Sequence, residues 1–173
     1  MGPTMSDPNS NSKPVSPPEV PGLPTRLLMD LAEGYCNLRC PKCFVFGPDD
    51  PDAIRPLRGF MTLETARTIL DEVMSVRPII QPQLWTESLM ARNFREHIRQ
   101  MKERNAEVSI NTNGLLLTKD IARFFVEIRL DSIMISLDAT SPETLMKVRA
   151  TDELEKIERA VFVKSLILNG DGR

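Results

Sequence analysis

The sequence predicts an α/β fold built on a parallel sheet. Two observations carry that prediction. Short apolar runs alternate with longer stretches whose apolar residues recur at helical spacing, the pattern of βα units joined by right-handed crossovers. Turn and cap residues stand where each unit should change element, at Thr62, Asn113-Gly114, Thr118 and Ser141-Pro142. A third observation ties the fold to function. All three cysteines of the 173-residue chain fall in one loop, directly after the first expected strand. Ligands of parallel α/β folds gather in the loops at the C-terminal ends of the strands.

Residues 1–24 carry seven prolines and four serines and little that fills a core. They are expected to form a disordered leader, with the folded core over 25–173 and order beginning at Arg26. Leu27-Leu28-Met29-Asp30-Leu31-Ala32 is short and apolar and reads as the first strand. The cysteine loop then runs through Phe44-Val45-Phe46 to Gly59, long for a connection, which itself suggests function. Thr62 is the expected N-cap of a helix with Leu63, Ala66, Ile69, Leu70, Val73 and Met74 at helical spacing. Pro78 to Trp85 is the second strand candidate, weakened by Pro82, which cannot donate to a sheet ladder. A second amphipathic helix carries Leu89, Phe94, Ile98 and Met101, with basic residues on its other face. Glu107 to Asn111 reads as the third strand, and Asn113-Gly114 as the turn after it. Thr118 caps a third helix that turns Ile121, Phe124, Phe125 and Ile128 inward. Asp131 to Leu137 is the fourth strand. Ser141-Pro142-Glu143 opens a short helix with proline at its first position. A longer one follows, with Leu154, Ile157, Val161 and Leu168 on one face and Asn169-Gly170 as its stop.

Length and composition suit a single globular domain, at 41% hydrophobic and 27% charged residues. A net charge of −2 gives no electrostatic case for nucleic acid or an anionic membrane. No apolar run approaches the roughly 18 residues of a membrane span. The N-terminus lacks a basic segment followed by an apolar one, so no secretory signal is expected. Clustered, odd-numbered cysteines argue against a disulfide framework, and a cytoplasmic protein with reduced thiols is expected.

Cys36, Cys40 and Cys43 are spaced x3 then x2, a metal-ligand arrangement. Thiolates are soft ligands that suit Fe–S clusters, zinc or Cu(I). Three protein ligands leave a four-position site one short, and an open position marks catalytic sites. A structural zinc would need a fourth ligand, and the only histidine, His97, lies far off in a helical pattern. A redox pair at Cys40 and Cys43 leaves Cys36 without a role. A [4Fe–4S] cluster with one free iron uses all three.

The CxxxCxxC spacing resembles the signature of the radical S-adenosylmethionine (radical SAM) superfamily. From about Arg26 to Val161 the order of features looks like that family's core, a (βα)6 partial barrel. The resemblance is nearest to the subgroup that includes peptide-modifying enzymes with a SPASM or related C-terminal extension. It implies that Cys36, Cys40 and Cys43 hold three irons while the fourth takes the amino and carboxylate groups of S-adenosylmethionine. The reduced cluster then cleaves the cofactor to a 5′-deoxyadenosyl radical, which abstracts hydrogen from a substrate. A peptide or protein substrate and an electron donor such as flavodoxin or ferredoxin are implied with it.

Leu84-Trp85-Thr86-Glu87-Ser88 stands where the family has Gly-Gly-Glu-Pro, which receives the cofactor's amino group through backbone and glutamate. Thr86 and Glu87 are thus implied as cofactor contacts, and a carboxylate suits an ammonium group. Trp85 and Thr86 depart from the glycines, which allow close backbone approach, and Ser88 from the proline. Lys42 stands where an aromatic residue often contacts adenine, with Phe44 or Phe46 as substitutes. Asn111 and Asn113, at the end of strand three, are implied to face the ribose or substrate. Ser136, at the end of strand four, and Arg149, in the connection after it, are implied to approach the cofactor's carboxylate. Plainer readings stand beside these: a solvent-facing Glu87 at the start of helix two, a simple turn at Asn113, a turn cap at Ser136 and a solvated Arg149.

Only about four strands are legible, so an incomplete barrel is expected: a fragment, a truncated product or a chain completed by a partner. No cysteines remain for an auxiliary cluster. The reading from another class is a non-catalytic Fe–S or zinc-binding truncated protein that acts as an interaction module.

Overall fold

Each apolar run forms a strand; the third strand is one residue longer than its run and the other three are shorter. In the computed structural model these are β1 Arg26–Leu28, β2 Ile79–Gln81, β3 Glu107–Thr112 and β4 Ser132–Ile135. The structure describes residues 22, 24–43, 45–47 and 58–168, without the side chains of 163–168. The four strands make one parallel sheet in the order β1-β2-β3-β4. Every strand lies beside its predecessor and none crosses back. Right-handed crossovers that always step the same way put their helices on one face, which is the winding of a barrel wall. A doubly wound sheet would reverse its order. The sheet is therefore the open, four-stranded part of a partial (βα) barrel.

The helices are α1 Leu63–Val73, α2 Phe94–Glu103, α3 Lys119–Glu127, α4 Pro142–Arg149 and α5 Leu154–Leu168. Three begin at the caps the sequence predicts. Thr62 Oγ1 accepts the Thr65 N–H at 3.0 Å, Thr118 Oγ1 the Ile121 N–H at 3.2 Å, and Ser141 Oγ the Thr144 N–H at 3.3 Å. Each satisfies a first-turn donor that has no partner inside its helix. Ala66 and Leu70 of α1, Phe94, Ile98 and Met101 of α2, and Ala122, Phe124 and Phe125 of α3 pack in one core with Ile80, Val108, Ile110 and Ile133 of the strands. Alternation along β3 leaves Ser109 and Asn111 half-buried on the opposite, concave face. A smaller cluster of Ala139, Leu145, Leu154 and Ile157 seats α4 and α5. Gly114 explains the turn between β3 and α3. Its φ is +84°, and a Cβ there would lie 3.1 Å from Ile135 Cγ2 and 3.2 Å from Ala160 Cβ.

The basic face of α2 is tied into the fold. Arg95 pairs with Asp120, Lys102 with Asp131 at 2.5 Å, and Arg104 with Asp71 at 2.8 Å. Arg95 and Arg99 also lie over the Phe124 ring at 5.3 and 4.9 Å. These cations join α2 to its neighbours rather than forming a phosphate-binding patch. Among the described residues no helix is long and apolar enough to cross a membrane.

Several boundaries move. The first strand stops at Leu28, and Leu31 to Gly34 form a turn. Leu31 and Ala32 are apolar because they are fully buried in the core, not because they are extended. The second strand ends at Gln81, before the donor-less Pro82. Leu89 lies in a separate 3₁₀ turn, Ser88–Met90, and α2 starts at Phe94. Val161, expected inward, is 39% exposed. Most of the expected leader, Phe44, residues 48–57 of the long loop and the Asn169-Gly170 stop lie outside the described residues.

Candidate functional site

At the C-terminal ends of the strands the concave face of the sheet carries a cavity of about 570 Å³. Its walls come from the cysteine loop after β1, the loop after β2, the ends of β3 and β4, and the last turn of α4. All nine residues singled out above line it: Cys36, Cys40, Cys43, Thr86, Glu87, Asn111, Asn113, Ser136 and Arg149.

The cysteine loop is folded by short-range bonds. The Cys43 N–H donates to Cys40 C=O at 2.9 Å, and the Gly47 N–H to Cys43 C=O at 2.7 Å. Arg39 Nη1 donates to the carbonyls of Cys36 and Leu38, both at 2.9 Å, while its guanidinium covers the buried Phe46 ring at 5.3 Å. Gly47 is required by space, since a Cβ there would sit 2.4 Å from the Cys43 carbonyl oxygen. Two sulfurs accept backbone donors: Cys36 Sγ from Leu38 N–H and Cys43 Sγ from Phe46 N–H, each at 3.4 Å. Burial pushes the Cys36 thiol above its ordinary value, and the charges of Glu87, Cys40 and Cys43 push the same way, against the Leu38 N–H. A cation bound at the sulfur would reverse that penalty.

The three thiols are free and share the cavity wall. Among the described residues, however, no three Cys, His, Asp or Glu side chains converge closely enough to hold one metal ion. Three cysteine thiols on one cavity wall are a donor set for an Fe–S cluster, whose irons take one thiolate each. The residues present therefore fit such a cluster.

Glu87 is 3% exposed, so the solvent-facing reading is corrected: the side chain folds inward. It caps the 3₁₀ turn rather than α2. Oε1 accepts Thr112 Oγ1–H at 2.8 Å and Leu89 N–H at 3.3 Å, and Oε2 accepts Asn113 N–H at 2.9 Å. Burial raises its pKa even so, with the three donors pulling it back. A carboxylate offers about four lone-pair sites, so one stays open. Both neighbours of Cys36 are tied to this region. Tyr35 C=O accepts the Glu87 N–H at 3.1 Å, and Asn37 Oδ1 accepts Asn113 Nδ2–H at 2.7 Å. Tyr35 is itself stacked on Phe60 at 4.4 Å.

Thr86 turns its hydroxyl to Asp30 Oδ1 at 2.7 Å. Trp85 is 49% exposed on the cavity wall, so it is not a core residue. Ser88 is buried and donates to Gln83 Oε1 at 2.9 Å, closing the loop where the expected motif has proline. The Ser136 N–H donates to Thr112 C=O at 2.9 Å, which sets it one step beyond β4. Arg149 is not simply solvated: its Nε donates to Asp138 Oδ2 at 2.5 Å on the cavity rim.

Sequence reasoning missed Asp30, Asn37, Arg39 and Gly47. Only Asp30 left a signal, as the one charge in an apolar run at the end of a parallel strand. Asn37 and Arg39 act through side-chain hydrogen bonds, and Gly47 through a close carbonyl, that spacing does not reveal.

Known proteins resemble the chain in sequence and in fold. The Radical SAM superfamily profile matches residues 34–162. The tungsten-containing aldehyde ferredoxin oxidoreductase cofactor-modifying protein of Pyrococcus furiosus is 28% identical over 132 residues, 73% of this chain and 35% of that protein. The structure of Streptococcus suis SuiB bound to S-adenosylmethionine superposes with a TM-score of 0.65 at 15% identity, over 86% of this chain and 32% of SuiB. That of anSMEcpe with bound S-adenosylmethionine and the Cp18Cys peptide gives 0.67 at 22% identity, over 84% of this chain and 41% of that one. The chain thus spans 35% of the curated relative and less than half of each of these structures. The two structures share the partial barrel, and the family's cofactors are S-adenosylmethionine and a [4Fe–4S] cluster. A match that runs from just before the first cysteine into α5 leaves one conclusion: this chain belongs to the radical SAM superfamily.

Proposed function

We propose that the chain binds a [4Fe–4S] cluster through Cys36, Cys40 and Cys43 and holds S-adenosylmethionine beside it, for radical modification of a peptide or protein. The observation that carries this reading is the single cavity in which the three thiols face Glu87 and the polar ends of β3 and β4. When bound, the cluster supplies the electron for reductive cleavage of S-adenosylmethionine, the source of the hydrogen-abstracting radical. The chain's own residues bind and orient. Glu87 offers its open lone pair to the cofactor's ammonium. Asn111 and Asn113 offer amides to its ribose or to substrate. Ser136 and Arg149 face its carboxylate, Arg149 sharing its fork with Asp138. Leu38, Phe46, Leu84, Trp85 and Val148 give the cavity apolar walls.

A peptide substrate is supported by the structures of SuiB bound to its precursor peptide SuiA and of anSMEcpe with a peptide. An acidic electron donor such as flavodoxin or ferredoxin suits the exposed Arg39 and Lys42 of the cysteine loop. Free thiols suit a cytoplasmic location. We place the folded core at 25–173, after a leader over 1–24.

The test is anaerobic reconstitution followed by EPR of the reduced chain, with and without S-adenosylmethionine. The expected result is a [4Fe–4S] signal that shifts on addition of the cofactor and is lost in Cys36→Ala, Cys40→Ala and Cys43→Ala alike. Bound zinc in place of any cluster sinks the proposal. A redox activity that survives Cys36→Ala would replace it.

A further inference from the structure

Asp30 sits two residues past β1, where the ladder to β2 closes with the bond from Met29 N–H to Gln81 C=O at 2.9 Å. Its carboxylate takes three donors from one short stretch of the next loop. Leu84 N–H at 2.6 Å and Thr86 Oγ1–H at 2.7 Å reach Oδ1, and Trp85 N–H at 3.3 Å reaches Oδ2. Asp30 is not part of the cavity wall, whereas Leu84, Trp85, Thr86 and Glu87 all are.

We propose that Asp30 is a positioning residue for the ammonium site of S-adenosylmethionine: it holds the Leu84–Thr86 loop from behind, so that this loop and Glu87 meet the cofactor in a fixed shape. The inference rests on the reading of Glu87 as the ammonium acceptor. Two successive N–H groups and a hydroxyl that converge on one anion fix the backbone of three residues. Charged hydrogen bonds are the stronger kind. A loop ordered in advance binds without the entropy cost of ordering it on the ligand. The arrangement also explains the residues in this loop. Thr86 has a side chain where a glycine was expected, and its hydroxyl turns to Asp30.

The experiment is an S-adenosylmethionine titration of the reduced, cluster-loaded chain, read by EPR. In Asp30→Ala the iron content and the cofactor-free spectrum should match the unaltered protein. The concentration for half-maximal spectral shift should rise about tenfold or more, the usual effect of losing an outer partner of a binding group. Thr86→Val removes one of the three donors and should give a smaller rise in the same direction. An unchanged titration in Asp30→Ala overturns the proposal. So does loss of the cluster-only signal, which would make Asp30 a support of the cysteine loop. If Asp30→Ala does not fold, Asp30→Asn decides: a raised half-point with an unaltered cluster-only signal sustains the role and an unchanged titration ends it. An unaltered protein whose cluster ignores S-adenosylmethionine is a different result, since it removes the functional reading and this inference with it.

Discussion

At the scale of single residues, Gly47 and Glu87 show how little slack the site has. The Gly47→Ala side chain would meet the Cys43 carbonyl oxygen at 2.4 Å, inside the loop that carries the cysteines. Overpacking of this kind costs about 1–3 kcal/mol, and here it falls on the loop and not on the core. Gly47→Ala should therefore keep its circular dichroism and melting temperature while its iron content after reconstitution drops by at least half. A variant that loads iron like the unaltered chain would show that the loop relaxes around the methyl. The cysteines were legible because their spacing is chemical. Gly47 was not, because its constraint is a carbonyl four residues back in a turn that the sequence does not announce. Glu87 was legible as a carboxylate, but its burial and its bonds to Thr112 and Asn113 depend on how β3 lies beside the loop.

At the scale of elements, caps were easy to read and strand ends were not. Thr62, Thr118 and Ser141 act locally, through a donor three residues ahead, so the sequence contains both partners. Thr118→Ala should lower stability by about 1 kcal/mol, a fall in melting temperature of about 2–4 °C for a chain of this size. Calorimetry with no change in Tm would mean that water replaces the cap at no cost. Strand ends depend on distant partners. The apolar run at Leu31-Ala32 looks like more strand, yet the backbone turns there and the Leu31 carbonyl accepts the Met61 N–H at 3.1 Å. The same limit hid Asp30, whose three donors lie 54 to 56 residues later in the chain. Alternating elements reveal that β1 and β2 are neighbours, but not which side chain crosses between them.

At the scale of the whole molecule, two buried titrating groups set opposite limits on the pH range of the fold. Burial raises the Glu87 pKa above 4.5. Its contribution is therefore full below 4.5 and is lost as pH rises through the folded value. His97 is the only histidine and is fully buried, its Nε2 bonded to Met61 C=O at 3.1 Å and its Nδ1 without a partner among the described residues. Burial lowers its pKa below 6.5, so its contribution is present above 6.5 and is lost as pH falls through the folded value. Melting curves of His97→Gln should show a flatter acid limb than the unaltered chain. Those of Glu87→Gln should gain on the unaltered chain as pH rises from 4.5, apart from a constant offset for the exchanged donor. Parallel curves in either pair would mean that the group titrates alike folded and unfolded.

The burial of Cys36 has a consequence for how the protein acquires its inorganic partner in a cell. A thiol that burial keeps protonated must give up its proton as a cation takes the sulfur, so loading of this loop releases protons. The cysteine loop should therefore fill more readily as pH rises, and its loading is tied to the proton balance of its surroundings.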